Sequence, residues 1–209
     1  MEIGIPEFDP KKCLSQRDRK KLMAVARSNA KSAGPRERKT AVRNYFFIHL
    51  GLGTGLRVME IAALNCGDLF LNNRIPFLVI RKGKGGKRRQ VFFNNSLRKH
   101  CREYLAWKKF IGESTESEEP LLLSKTTGGH LTTRALQKAF KRCAHRADLA
   151  SHYSIHCLRH TYASLLYIAS DKDVLMVKEQ LGHTRIETTE NYLSVLMQEM
   201  EKALNRLDI

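Results

Sequence analysis

The sequence predicts an α+β fold that is mainly helical and carries a basic β-hairpin. Three observations lead there. Apolar residues recur at helical spacing over most of the chain. One segment, 74–93, breaks that rhythm: Ile75, Phe77 and Val79 alternate, and Gln90-Val91-Phe92-Phe93 resumes an extended pattern. Between those arms, six of the nine residues from Arg81 to Arg89 are basic, with Gly83, Gly85 and Gly86 among them. A chain of 209 residues that is 42% hydrophobic buries a core of ordinary size. One domain is therefore expected over 14–209, with 1–13 as an extended lead-in.

Taken in order, Ser15 caps a basic helix over 16–27, with Leu22, Met23 and Val25 facing inward. The polar stretch 28–38 contains Gly34-Pro35 and reads as a loop. Residues 41–52 are largely apolar and should cross the core, ending near Gly51, Gly53 and Gly55. A helix over 57–64 follows, its ends set by Thr54 and Asn65. After the hairpin, helices are predicted over 97–110, 132–146, 158–169 and 174–181. The polar segment 112–119 is a surface connection, and Leu121-Leu122-Leu123 a short buried run before the turn Thr126-Thr127-Gly128-Gly129. The tail carries Leu193, Leu196, Met197, Met200, Leu204 and Leu207 at helical spacing. That stripe either packs on its own domain or docks into a neighbouring subunit.

The net charge of +16 attracts a polyanion, whether DNA, RNA or an anionic membrane surface. No apolar run approaches the roughly 20 residues that span a bilayer, and the opening Met1-Glu2-Ile3-Gly4-Ile5-Pro6 lacks a basic-then-apolar signal pattern. No membrane association and a cytoplasmic, nucleoid-associated location are expected. Cys13, Cys66, Cys101, Cys143 and Cys157 are scattered and form no CxxC pair, so they read as reduced apolar residues. Cys143, His145, His152, His156 and His160 lie close in sequence, but no close cysteine pair anchors a zinc site, and no metal is expected. The GxxxxGK[ST] phosphate loop is absent and the hairpin glycines are not GxGxxG, which disfavours nucleotide hydrolysis.

Attack on a phosphodiester concentrates negative charge on its non-bridging oxygens, so fixed cationic donors are needed where that charge develops. Arg57 stands just after the turn Gly53-Thr54-Gly55, where backbone can approach a phosphate closely, and Glu60 one turn on is placed to orient it or cap the helix. His156 and Arg159, three residues apart, share a helical face and can address one phosphate. His160 is offset from that face and is assigned a buried hydrogen-bonding role. His183 follows a helix ending at Gly182 and can donate to a phosphoryl oxygen even when neutral. Tyr192 supplies a phenol that becomes a nucleophile when positive groups surround it. Lys84, between Gly83 and Gly85, is placed to protonate a leaving 5′-oxygen. Arg81, Lys82, Lys87, Arg88 and Arg89 are assigned to DNA backbone contacts. Singly, each has a bland reading as a surface cation, packed histidine, helix cap or structural tyrosine.

In combination they are specific. Thr54-Gly55-Leu56-Arg57-Val58-Met59-Glu60-Ile61, Gly83-Lys84-Gly85-Gly86-Lys87, His156-Cys157-Leu158-Arg159-His160-Thr161, Leu181-Gly182-His183 and Tyr192 occur in one order and spacing. Over about residues 14–200 the chain resembles the catalytic domain of the tyrosine recombinase (phage integrase) family, in its Xer-like branch. The resemblance implies a mostly helical domain with a small antiparallel sheet. Arg57 and Arg159 would clamp the scissile phosphate, assisted by His156 and His183. Glu60 would support the arginine site, Lys84 would protonate the leaving 5′-oxygen, and Tyr192 would form a 3′-phosphotyrosine bond. It implies no cofactor, neither metal nor ATP. The expected partners are double-stranded DNA and three further copies, in a tetramer on paired sites joined through a Holliday junction.

Members of the family typically carry a helical core-binding domain ahead of this one, and that domain is expected to be absent here. The short amino end implies weaker target selectivity and leaves room for an accessory DNA-binding protein. Two other functions stay open. A type IB topoisomerase-like relaxase would reseal one strand without exchanging partners. A catalytically silent DNA-binding regulatory protein would be indifferent to Tyr192→Phe.

Overall fold

The computed structural model describes residues 12–81, 88–182 and 203–207. Helix α1 (Gln16–Ser32) starts where the Ser15 hydroxyl accepts from the Asp18 N–H at 3.1 Å. Its buried face is Arg19, Leu22, Ala26 and Ala30, while Met23 and Val25 are half-buried. That stripe carries the helix beyond Arg27, so most of the expected 28–38 loop is helical. Only Ala33 and Gly34 separate α1 from α2 (Pro35–Thr54). Pro35 does not break a helix here: it opens one, in the first turn, where its missing N–H has no intrahelical partner to lose.

Every residue from Phe46 to Thr54 is buried, so the second half of α2 is an axis on which other helices lean. Gly51 and Gly53 lie inside this helix and not in a turn. A Cβ on Gly51 would come within 2.8 Å of Leu158, and one on Gly53 within 2.8 Å of Leu97, so the absent side chains let two helices approach closely. Those helices are α4 (Asn95–Phe110) and α6 (His156–Ala169).

Between α2 and α4, the chain forms the short helix α3 (Val58–Ala62), a 3-10 turn at Cys66–Asp68 and an antiparallel sheet. Its strands are β1 (Leu69–Phe70), β2 (Phe77–Ile80) and β3 (Arg89–Phe92), in the order β1-β2-β3. The register pairs Phe70 with Phe77, Phe77 with Phe92, and Ile80 with Arg89. The two arms of the predicted hairpin therefore exist; the residues between them, 82–87, lie outside those described. Strand β1 was not foreseen, because two residues are too short to show a period.

Side-chain caps mark the later helices. Asn94 accepts from the Leu97 N–H at 2.9 Å to start α4. Thr132 accepts from Ala135 at 3.1 Å to start α5 (Thr133–Arg146). Asp173 accepts from Leu175 and Met176 to start α7 (Val174–Leu181), which ends at Gly182 with φ of 70°. Of the expected buried run, Leu121 and Leu122 are fully buried and Leu123 is half-buried.

The main core joins α1 to α5, the sheet and the first turn of α6. A second apolar cluster gathers Tyr162 and Leu166 of α6, Met176, Val177 and Leu181 of α7, and Ala203, Leu204 and Leu207. The end of the tail thus packs on its own domain, and the Asn94 side chain donates to the Leu204 carbonyl at 3.3 Å. Leu193, Leu196, Met197 and Met200 lie outside the described residues. Cys66, Cys101, Cys143 and Cys157 are buried and reduced, and Cys13 is half-buried. Among the described residues, no helix is long and apolar enough to cross a membrane, and no group of three or more His, Cys, Asp or Glu side chains is disposed to hold a metal ion.

Candidate active site

The site begins at the end of α2. Gly55 caps that helix in the left-handed region at φ of 61°, its N–H bonding back to the Gly51 carbonyl. The reversal delivers Arg57 to the N-cap of α3. There the Glu60 carboxylate accepts from the Arg57 N–H at 2.8 Å, the return half of a capping box. Arg57 therefore precedes the helix that the sequence placed it in, and Glu60 performs the capping role proposed for it.

Arg159, on the first turn of α6, is 5% exposed and donates to two carbonyls, Gly55 at 2.9 Å and Leu181 at 3.1 Å. One guanidinium thus joins the turn before Arg57 to the end of α7, where His183 would follow. His156 is the first residue of α6 and is exposed. Arg57, His156 and Arg159 line one cleft of about 450 Å³. His160, expected to be buried, lines it too and is only half-buried. The N-terminus of α6 opens at this cleft, so the positive end of its helix dipole adds to two guanidinium ions. Such a cleft suits a tetrahedral anion with several acceptor oxygens.

Glu60 is the buried anion beneath these cations, 6% exposed. Burial pushes its carboxyl upward. Hydrogen bonds from Arg89 and the charge of Arg89, aided by the Arg57 N–H and charge, outweigh that and hold it below the ordinary carboxylate value. Arg89 forks onto both Glu60 oxygens at 2.7 and 3.0 Å, and its side chain is 14% exposed. Arg81 bonds Asp68 at 2.6 Å and Glu118 at 2.5 and 3.0 Å. Both, assigned to DNA backbone contacts, are paired with acidic side chains of this chain, Arg89 largely buried and Arg81 still exposed. Arg88, next to Arg89 in the chain, is exposed. Lys82, Lys84, Lys87, His183 and Tyr192 lie outside the described residues.

Helix α7 is seated on the sheet by Gln180, whose side chain bonds both the N–H and the carbonyl of Phe92 and also the Tyr162 hydroxyl. Its C-cap rests on Arg89: a Cβ on Gly182 would come within 2.5 Å of Arg89 Nε.

Two features of the cleft escaped the sequence. Thr133 and Gln137 of α5 line it together with Arg57. Helix α5 buries Leu136, Ala139, Phe140, Cys143 and Ala144 and turns outward Arg134, Gln137, Lys138, Lys141 and Arg142. The amphipathic pattern was legible; which face bordered the cleft was not. Met59, 66% exposed, also lines the cleft, an apolar side chain among cations.

Comparison with known proteins bears on the family and the fold. The sequence matches the model of the phage integrase family over residues 12–199. It is 34% identical over 152 residues to tyrosine recombinase XerC of Neisseria meningitidis serogroup B, covering 73% of this chain and 48% of that protein. To tyrosine recombinase XerD of Agrobacterium fabrum it is 32% identical over 204 residues, 91% of this chain and 60% of that protein. The chain thus spans about half the length of the XerC relatives it matches. The XerH site-specific recombinase in its pre-cleavage complex with difH superimposes with a TM-score of 0.67 at 25% identity, over 94% of this chain and 50% of that one. The lambda integrase catalytic core shares the fold, with a TM-score of 0.58 at 18% identity over 83% of this chain and 96% of that one.

Proposed function

This chain belongs to the phage integrase family, and from that premise we propose that it is a tyrosine-type site-specific DNA recombinase acting on double-stranded DNA. The observation that carries the reading is the convergence of Arg57, His156 and Arg159 on one cleft at the N-terminus of α6. The scissile phosphate sits there, its non-bridging oxygens held by the two guanidinium groups with His156 and His183 donating beside them. The phenolic oxygen of Tyr192 attacks phosphorus, forming a 3′-phosphotyrosine bond as the bond to the 5′-oxygen breaks. Lys84 gives that leaving oxygen a proton. A 5′-hydroxyl from a partner strand then attacks the phosphotyrosine, releasing Tyr192 and rejoining DNA.

The outward face of α5 and exposed Arg88 supply sequence-independent backbone contacts. Four copies act on two paired sites, and an accessory DNA-binding protein adds target selection. The XerH complex with difH supports DNA as the substrate through its likeness in fold. A cytoplasmic, nucleoid-associated location accords with this substrate.

The reading is tested by incubating the purified chain with nicked suicide DNA carrying candidate sites, then mapping any denaturation-resistant adduct by mass spectrometry. An adduct on Tyr192 is expected and should vanish in Tyr192→Phe while DNA binding persists. Binding without any adduct on such substrates favours the silent regulator.

A further inference from the structure

We propose that Arg89 is a positioning residue for the strand-transfer reaction, acting through Glu60 to keep Arg57 at the cleft, and is not a DNA phosphate contact. The inference rests on the strand-transfer reading above. Its geometric basis is the fork. Both terminal nitrogens of Arg89 are committed to Glu60, at 2.7 and 3.0 Å. A third donor, Nε, is buried without a hydrogen-bond partner among the described residues and faces Gly182 at the end of α7. A guanidinium so placed, 14% exposed, has its charge matched by a buried carboxylate and is not held out toward DNA.

What it does offer is neutralisation of a buried carboxylate. Glu60 touches Arg57 twice: firmly at the backbone N–H, 2.8 Å, and marginally at the guanidinium, 3.4 Å. With Arg89 in place, the carboxylate is satisfied by a closer cation. Without it, the nearest cation to a buried anion is the Arg57 side chain, and an uncompensated buried charge is costly enough to draw that side chain inward. Arg57 would then leave the position from which it can address a phosphate.

Arg89 also sits where three segments meet. It lies on β3 opposite Ile80, at the strand that follows Lys84. It binds α3 through Glu60, and it underlies the turn that precedes His183. Planarity matters here, since a lysine supplies the charge but cannot span both carboxylate oxygens.

The test measures single-turnover adduct formation on nicked suicide DNA at saturating protein, beside the slope of log affinity against log salt, for the wild type, Arg89→Ala, Glu60→Gln and the double variant. We expect Arg89→Ala to slow adduct formation at least about tenfold with the salt slope unchanged. Millimolar guanidinium should restore part of that rate where sodium chloride of equal ionic strength does not. In the Glu60→Gln background, Arg89→Ala should cost little more, because both act through one contact. Should Arg89→Ala not fold, Arg89→Lys carries the same expectation for rate, slope and coupling. A salt slope shallower by about 0.9 identifies a phosphate contact and overturns the inference. So does a full rate in Arg89→Ala, or a loss that is additive with Glu60→Gln. If the wild type forms no adduct, the strand-transfer reading falls and this inference with it; a wild-type adduct that persists undiminished in Arg89→Ala removes this inference alone.

Discussion

Arg159 donates to the Gly55 carbonyl at 2.9 Å, so a guanidinium that lines the cleft also holds the turn that delivers Arg57. Its second bond, to Leu181, fixes the end of α7 from the same side chain. Substitution by lysine keeps the charge but cannot reach both carbonyls. Arg159→Lys should lower adduct formation by about 10²–10³ while DNA binding survives, and should lower thermal stability. A rate within about threefold of the wild type would mean that the fork is dispensable.

Gly55 is held at φ of 61°, and a Cβ there would lie 2.9 Å from Leu181 as well as against the Tyr162 ring. Alanine meets two penalties, roughly 1–2 kcal/mol for the left-handed backbone and about 1–3 kcal/mol for overpacking. Urea denaturation of Gly55→Ala should show a loss of at least about 2 kcal/mol. A loss below about 0.5 kcal/mol would show that the turn relaxes freely.

The core between α2 and α4 holds an acid-sensitive pair. His49 and His100 share one hydrogen bond between their Nδ1 atoms at 2.8 Å, so one ring donates and the other accepts, and both are neutral. Burial pushes His49 down to about 4. Burial, then His49 itself and the nearby Arg27, push His100 down to about 3. Both folded values lie below the ordinary histidine value near 6.5. Below that pH the unfolded chain takes up protons that the folded chain refuses, so this contribution to stability is complete above about 6.5 and is lost as pH falls toward the folded values. Denaturant titrations from pH 7.5 to 4 should show falling stability, with a shallower fall in His49→Leu/His100→Phe. An identical pH profile in that variant would assign the acid limb to other groups.

Lys84 is tested by its leaving group. Lys84→Ala should impair cleavage of ordinary DNA, and a suicide substrate with a 5′-thiol at the scissile position should recover it, because a thiolate departs without a proton donor. Equal impairment on both substrates would remove Lys84 from the general-acid role.

Much of the helical framework was written locally. Ser15, Asn94, Thr132 and Asp173 cap helices through bonds to N–H groups two or three residues away, so short windows of sequence contain both partners. Where a boundary depended on packing, the reading failed. Polar composition suggested a loop after Arg27, yet Ala30 is buried and the helix runs on to Ser32. Glycine spacing suggested a helix end near Gly51, Gly53 and Gly55; Gly55 does cap α2, whereas Gly51 and Gly53 are places where α6 and α4 press against it.

For the site, the ordered appearance of Arg57, Lys84, the His156–Arg159 pair, His183 and Tyr192 was determined by sequence alone, as was the family, because those residues and their spacing survive in a linear string. Which cations face outward was decided only by tertiary structure. Arg81, Arg88 and Arg89 are alike in a run of basic residues. Arg81 is exposed yet paired with Asp68 and Glu118, Arg88 is exposed, and Arg89 is captured by Glu60 from 29 residues away in the chain. The physical reason is that a charge is defined by its residue, whereas its partner, and the water it loses, are defined by the fold.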